Sequence, residues 1–254
     1  AIGNIDLKAN SPITIDKDLR STDGDISISS SDEADPLADF LLIENDIEVI
    51  AEGGSIFLSS GDNLTISAGA KVFAANTLSI ELDANNADTA GVDMLINGTI
   101  AATDITVNAA GDNDNLIFNT AIANNVINDA LGNKLSDVLT NSLTINTGAG
   151  IDTLAFNESV SATTVSINLG DGNNQLDLAA TKTLTASSFD LTTGTGNDSL
   201  TFAGVLNSAG TVSIVTGAGA DQLDFQDDVN GTAVTIDLGD GDNQFDLAAS
   251  KILT

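Results

Sequence analysis

LTINTGAGIDTLAFNESVSATTVSINLGDGNNQLDLAATKTLT (143–185) returns as VSIVTGAGADQLDFQDDVNGTAVTIDLGDGDNQFDLAASKILT (212–254), an offset of 69 residues with more than half the positions identical. A shorter period lies inside the longer one. The nine-residue phrase G-x-G-x-[DN]-x-[LF]-x-[FL] begins at Gly148, Gly170, Gly194, Gly217 and Gly239, in steps of 22, 24, 23 and 22 residues. A fixed period in the low twenties is the mark of a solenoid, in which each repeat buries its apolar face only against its neighbours. Aligning the phrases stacks apolar residues in columns: Ile145, Ile167, Leu191, Ile214 and Ile236 before the turn, then Leu154, Leu176, Leu200, Leu223 and Phe245 after it, and two residues on Phe156, Leu178, Phe202, Phe225 and Leu247. Columns of like side chains suit rungs stacked about 4.8 Å apart, and glycine supplies the left-handed angles of the turn between the strands. The expected fold is an all-β parallel β-helix (β-solenoid) with rungs of 22–24 residues over 143–254.

Outward from this array the rhythm loosens. Residues 1–118 carry short alternating runs, among them IDLKA, ITID, DISISSS, SIFLSS, NLTIS and DITVN, each closed by Gly, Asp, Asn or Ser. Period-two alternation bounded by turn residues predicts strands with one buried face. Their spacing of about ten residues fits a β-sandwich as well as a solenoid; the strict repeat of the second half decides for irregular solenoid rungs. Two segments break the pattern. In 32–46, Asp35 before Pro36 predicts a short helix or folded loop. In 119–142, Ile122, Val126, Ala130, Leu131, Leu135, Val138 and Leu139 fall at helical spacing and predict a helical insertion lying on the solenoid flank. A degenerate phrase, AGDNDNLIF, starts at Ala110, so 38 residues to Gly148 make one rung plus about fifteen inserted residues. The expected division is 1–118, 119–142 and 143–254. Because residue 254 falls in mid-repeat, further rungs and an export signal are expected beyond the 254 residues.

Composition bounds the function. There are 37 acidic residues against 7 basic ones, a net charge of −30. Phosphate binding works through Lys and Arg, so nucleic acid is excluded as a partner, and anionic membranes are disfavoured. No apolar run reaches the roughly 20 residues of a membrane span. Cys and His are both absent, which removes thiol chemistry, the usual zinc sites and the commonest general base. With neither Trp nor Tyr, the aromatic platforms that carbohydrate-active sites use are missing as well. No enzyme is expected.

The acids of the turns point to a cation. Asp152, Asp198 and Asp221 hold the fifth position of their phrases; Asn174 and Asn243 hold it in the other two, where Asp171 and Asp240 appear at the second position. Asp114 is the corresponding acid of the degenerate phrase. Carboxylates stacked about 4.8 Å apart would repel by about 0.9 kcal/mol in water and about 3.5 kcal/mol at an effective dielectric near 20. Ca²⁺ relieves this by mixing carboxylate, Asn and backbone oxygens. The turn backbone at Gly148, Gly150, Gly170, Gly172, Gly194, Gly196, Gly217, Gly219, Gly239 and Gly241 would supply the last of these. The competing reading needs no ion: Asn and Asp fill turn positions and form a hydrogen-bonded ladder.

GAGIDTLAF (148–156), GTGNDSLTF (194–202) and GAGADQLDF (217–225) resemble the RTX, or hemolysin-type, calcium-binding nonapeptide GGxGxDxUx from its second glycine onward. The first glycine is replaced by Thr147, Leu169, Thr193, Thr216 or Leu238, and one phrase occurs per rung rather than back to back. The N-terminal strands are similar to the filamentous-hemagglutinin type of secreted β-helix. These resemblances imply a giant bacterial secreted or surface protein, of adhesin or S-layer type, outside the cell. The expected function is a calcium-stabilised structural segment: an adhesin stalk, surface layer or matrix filament. Its partners would be calcium ions, further copies or rungs, and cell-surface glycans. The alternative is a polysaccharide-binding or polysaccharide-degrading β-helix protein. An ice-binding face is a weaker fit, because its outward column Thr144, Ser166, Asp190, Ser213 and Thr235 has an acid in the middle.

Overall fold

Inward-facing Ile, Leu, Val and Phe columns need a partner above and below, and the chain provides it by coiling. The computed structural model describes residues 1–30, 39–83, 91–122, 125–128, 134–138 and 140–254. Each turn of the coil runs through up to three short strands on three faces, and each strand pairs in parallel with its equivalent one turn on. The first face begins at Ile5–Ala9 and reaches Ala233–Asp237; the second stacks ten strands from Ile13–Ile15 to Gln244–Leu247. The third face is separate only at Leu19–Ser21, Glu48–Ala51, Lys71–Ala74 and Thr99–Ala101. Farther on it merges with the first, because Thr183–Thr192 and Val205–Val215 run through the corner as single strands of 10 and 11 residues. The solenoid is therefore an all-β parallel coil.

The register matches the expected columns. Ile145 pairs with Ile167, Ile167 with Leu191, Leu191 with Ile214, and Ile214 with Ile236. On the second face Leu154, Leu176, Leu200, Leu223 and Phe245 stack in the same way. Beside a small separate cluster of Ile50, Phe73 and Ala101, the main core is a continuous apolar cluster running along the coil. Its largest side chains meet ring to ring: Phe118 and Phe156 stack at 5.3 Å, and Phe202 and Phe225 lie at 5.1 Å. Each such burial contributes about 1.5–3 kcal/mol relative to exposure.

The helical expectation for 119–142 is corrected, while the one that rests on Asp35 and Pro36 lies outside the described residues. No helix occurs among the described residues. Within 32–46, Leu41–Ile43 is a strand of the second face, and residues 32–38 lie outside the described residues. Within 119–142, Asn125–Asn128 pairs antiparallel with Lys134–Val138, the one antiparallel pairing among the described residues; residues 123, 124, 129–133 and 139 lie outside them. The physical reason lies in composition. The segment is rich in Asn, a residue type that competes with helical backbone bonds, and β-branched Val126 and Ile127 suit an extended chain. The segment is an insertion all the same, since Asp104–Asn108 pairs with Ser142–Asn146 across the 38-residue step.

Candidate functional site

The corner between the first and second faces carries the Gly-x-Gly phrases, and the rungs approach each other so closely there that side chains are excluded. A Cβ on Gly170, whose φ is +66°, would sit 1.4 Å from the carbonyl oxygen of Gly148 below it. The turn backbone bonds from rung to rung: the Gly194 N–H donates to the Gly170 carbonyl at 2.7 Å, and the Gly219 N–H to the Asp240 carbonyl at 2.8 Å. Many of the turn carbonyls expected to face a cation are engaged in this way.

The predicted acidic set divides into two columns. Asp114, Asp152, Asn174, Asp198, Asp221 and Asn243 each precede an inward residue of the second face by two positions, and period two turns them inward with it. Asp152 is fully buried, and Asp114, Asn174, Asp198 and Asp221 nearly so. Their side chains form a ladder. The Asp114 N–H donates to Asp152 Oδ1 at 2.9 Å, Asp152 N–H to Asn174 Oδ1 at 3.1 Å, and Asn174 N–H to Asp198 Oδ1 at 2.8 Å. Asp198 N–H then donates to Asp221 Oδ1 at 3.0 Å and Asp221 N–H to Asn243 Oδ1 at 2.9 Å. In each step a side-chain oxygen supplies the acceptor that the strand ladder lacks at the turn, as a buried N–H requires.

Sequence reading missed two parts of this arrangement. The ladder starts earlier, with Asp39 N–H donating to Asp62 at 2.8 Å and Val92 N–H to Asp114 Oδ1 at 3.0 Å. The signal was present: Asp62 stands two residues before inward Leu64, as Asp114 does before Leu116. The second part is the threonine before the first glycine. Thr147 Oγ1 lies 2.7 Å from Asp152 Oδ2 and 3.0 Å from the Leu169 carbonyl; Thr193 Oγ1 lies 2.5 Å from Asp198 Oδ2 and 2.7 Å from the Thr216 carbonyl. A hydroxyl has one hydrogen, so both contacts are complete only when the carboxyl carries a proton. Burial pushes the Asp152 and Asp198 carboxyls in that direction, above the ordinary value. Asp114 is raised further, to about 7, by burial and by the neighbouring charges of Asp152, Asp83 and Asp112.

Asp171 and Asp240 belong to the other column, on the solvent side, where both are exposed. Asp171 Oδ1 accepts the Thr195 N–H at 2.7 Å and its hydroxyl at 3.0 Å, bonds that lower its pKa. These two acids stand three rungs apart, about 14 Å, too far for one ion to bridge. Beside them runs a second ladder, in which Asn113 Oδ1 accepts from Ile151 N–H, Asn173 Oδ1 from Asn197 N–H and Asn197 Oδ1 from Ala220 N–H. The expected single column of stacked carboxylates is thus not formed. Among the described residues, no three acidic side chains converge as a metal cage. The inner acids already accept ladder bonds through Oδ1, whereas the exposed Asp171, Asp240 and Asp242 can each meet a hydrated ion singly. No protein-family model, curated protein or solved structure matches the chain.

Proposed function

We propose that the chain is a structural segment of an extracellular bacterial protein, a stalk, surface-layer or matrix element, whose acidic exterior is neutralised by calcium. One observation carries this reading. Through the array the backbone corners, the inner Asx column and the apolar columns all take their partners from the rung above and the rung below, an arrangement suited to length and stiffness. Charge supports the calcium part. A net −30 on 254 residues destabilises a compact rod through self-repulsion, and a divalent ion at the outer carboxylates relieves it without entering the core. The resemblance of the turns to the hemolysin-type nonapeptide agrees with a secreted, calcium-rich setting.

The test is a calcium titration followed by circular dichroism and thermal melting, with magnesium and monovalent salt at matched ionic strength. The folded coil should persist in chelator, and the melting temperature should rise with calcium beyond the effect of matched salt, because binding only the folded state stabilises it. A melting temperature indifferent to calcium would remove the calcium part of the proposal.

A further inference from the structure

The residue before the first glycine varies between only two types across the array, and it does so in step with the fifth position. Thr147 goes with Asp152, Leu169 with Asn174, Thr193 with Asp198, Thr216 with Asp221 and Leu238 with Asn243. Register puts the two members of each pair at the same corner of their rung, one at the end of the first-face strand and the other entering the second.

The chemistry of the two pairs differs in the way their composition requires. An inward Asp has one oxygen, Oδ1, in the ladder and a second that must be satisfied in a site closed to water. Threonine supplies a hydroxyl to that second oxygen at Asp152 and at Asp198. An inward Asn offers instead an amide nitrogen, which donates to a carbonyl of its own turn: Asn174 Nδ2 to the Gly170 carbonyl at 3.0 Å, and Asn243 Nδ2 to the Leu238 carbonyl at 2.7 Å. It needs no hydroxyl, and the vacated position is filled by leucine, with Leu169 fully buried in the core.

The degenerate rung provides a natural control. Asn108 pairs with Asn146, so Ala109 occupies the place of Thr147. Asp114 thus has an alanine where the other inner acids of the array have threonine. Its Oδ2 is buried and has no hydrogen-bond partner among the described residues. At Thr216 and Asp221 the hydroxyl and Oδ2 are both buried and likewise unbonded, so this rung holds the two residues without closing the contact.

We infer that the residue before the first glycine is a positioning residue for the inner column: threonine there offers a stabilising hydroxyl to the second oxygen of a buried aspartate at the fifth position, and leucine is compatible only with asparagine. The two pairs are interchangeable modules, while a mixed Leu–Asp rung is a defect. This goes beyond the calcium reading and does not depend on it, so its test is run in chelator.

The experiment is a thermal-melting cycle at Thr193 and Asp198 in the 254-residue chain. Thr193→Leu alone should lower the melting temperature by about 3–8 °C, on the scale of about 2–4 °C per kcal/mol for a chain of this size. Asp198→Asn with Thr193→Leu, which rebuilds the pair found at Leu169 and Asn174, should recover to within about 2 °C of the parent. A Thr193→Leu cost that is the same in the parent and in an Asp198→Asn background would overturn the inference, because leucine would then be harmful for its bulk alone. The control rung gives a second reading with a gain of stability. Ala109→Ser and Ala109→Thr supply the missing hydroxyl, and at least one should raise melting by about 2–4 °C, with no gain in an Asp114→Asn background. No gain from either hydroxyl, or an equal gain in the Asp114→Asn background, contradicts it.

Discussion

Residues 1–118 and 143–254 build the same coil by different rules. In the first region partner strands are offset by 21, 30, 22 and 27 residues along the first face: Ile5 with Ile26, Ile26 with Ile56, Ile56 with Leu78, Leu78 with Ile105. In the second the offsets are 22 to 24. Yet away from the first and last rungs the inward columns are buried in both. A constant rung length is therefore not what holds the coil together. The apolar columns do that, and corners of unequal length are tolerated between them. What regular length adds is the corner itself: from Asp114 to Asn243 every rung contributes an Asx residue to the inner ladder, whereas the rung of Met94 has Val92 there and interrupts the column.

The largest expected effect tests the shared part. Phe202→Ala removes a fully buried ring packed at a tilt against Phe225 and should cost about 3–5 kcal/mol, while Leu64→Ala in the loose region should cost about 2–5 kcal/mol. Chemical denaturation of both variants checks this. A trivial cost at Leu64 would mean that only the regular array has a real core.

The ladder comes next. Asp198→Ala strips the acceptor from the Asn174 N–H and the partner from Thr193 and should cost about 1–3 kcal/mol. Asp62→Ala should act in the same direction by removing that acceptor of the Asp39 N–H. Amide hydrogen exchange at residue 174 should accelerate in the first variant and residue 214, in a strand, should not.

A smaller effect separates the regions by pH. Asp114 is held near 7 against an ordinary 3.8, and Asp152 and Asp198 are raised as well. The folded state then binds protons more tightly than the unfolded one, so this contribution is complete below about pH 4 and is lost as pH rises through 7. Melting temperature should fall by a few degrees between pH 5 and pH 8. Asp114→Asn should flatten that slope, and an unchanged slope would locate the titrating groups elsewhere. Smallest of all, Asn157→Ala breaks an exposed bond from its Nδ2 to Asn119 Oδ1 and should stay within about 0.5 kcal/mol.

The coil was legible in the sequence because Ile145, Leu154 and Phe156 recur with their equivalents at one period, and identical columns admit few other packings. The inward turn of Asp152 was legible too, through its parity with Leu154 and Phe156, but a charge is ordinarily placed in water and the repulsion of stacked carboxylates suggested a cation. Only the folded chain reveals that Thr147 stands over Asp152, since those residues meet across a turn whose path depends on glycine angles. The segment 119–142 differs from its helical reading for another reason. Ile122 and Val126 fall at helical spacing, and short apolar runs do not distinguish a helix from a strand pair.

The central proposal is that the inner acids are structural partners of the backbone and that any calcium acts outside them. The calcium-induced rise in melting temperature, measured for Asp198→Asn and for the double variant Asp171→Asn with Asp240→Asn, tests it most directly. The account predicts an undiminished rise in the inner variant and a reduced one in the outer. An outer variant that responds in full while the inner one loses its response would place calcium in the buried column and contradict the account.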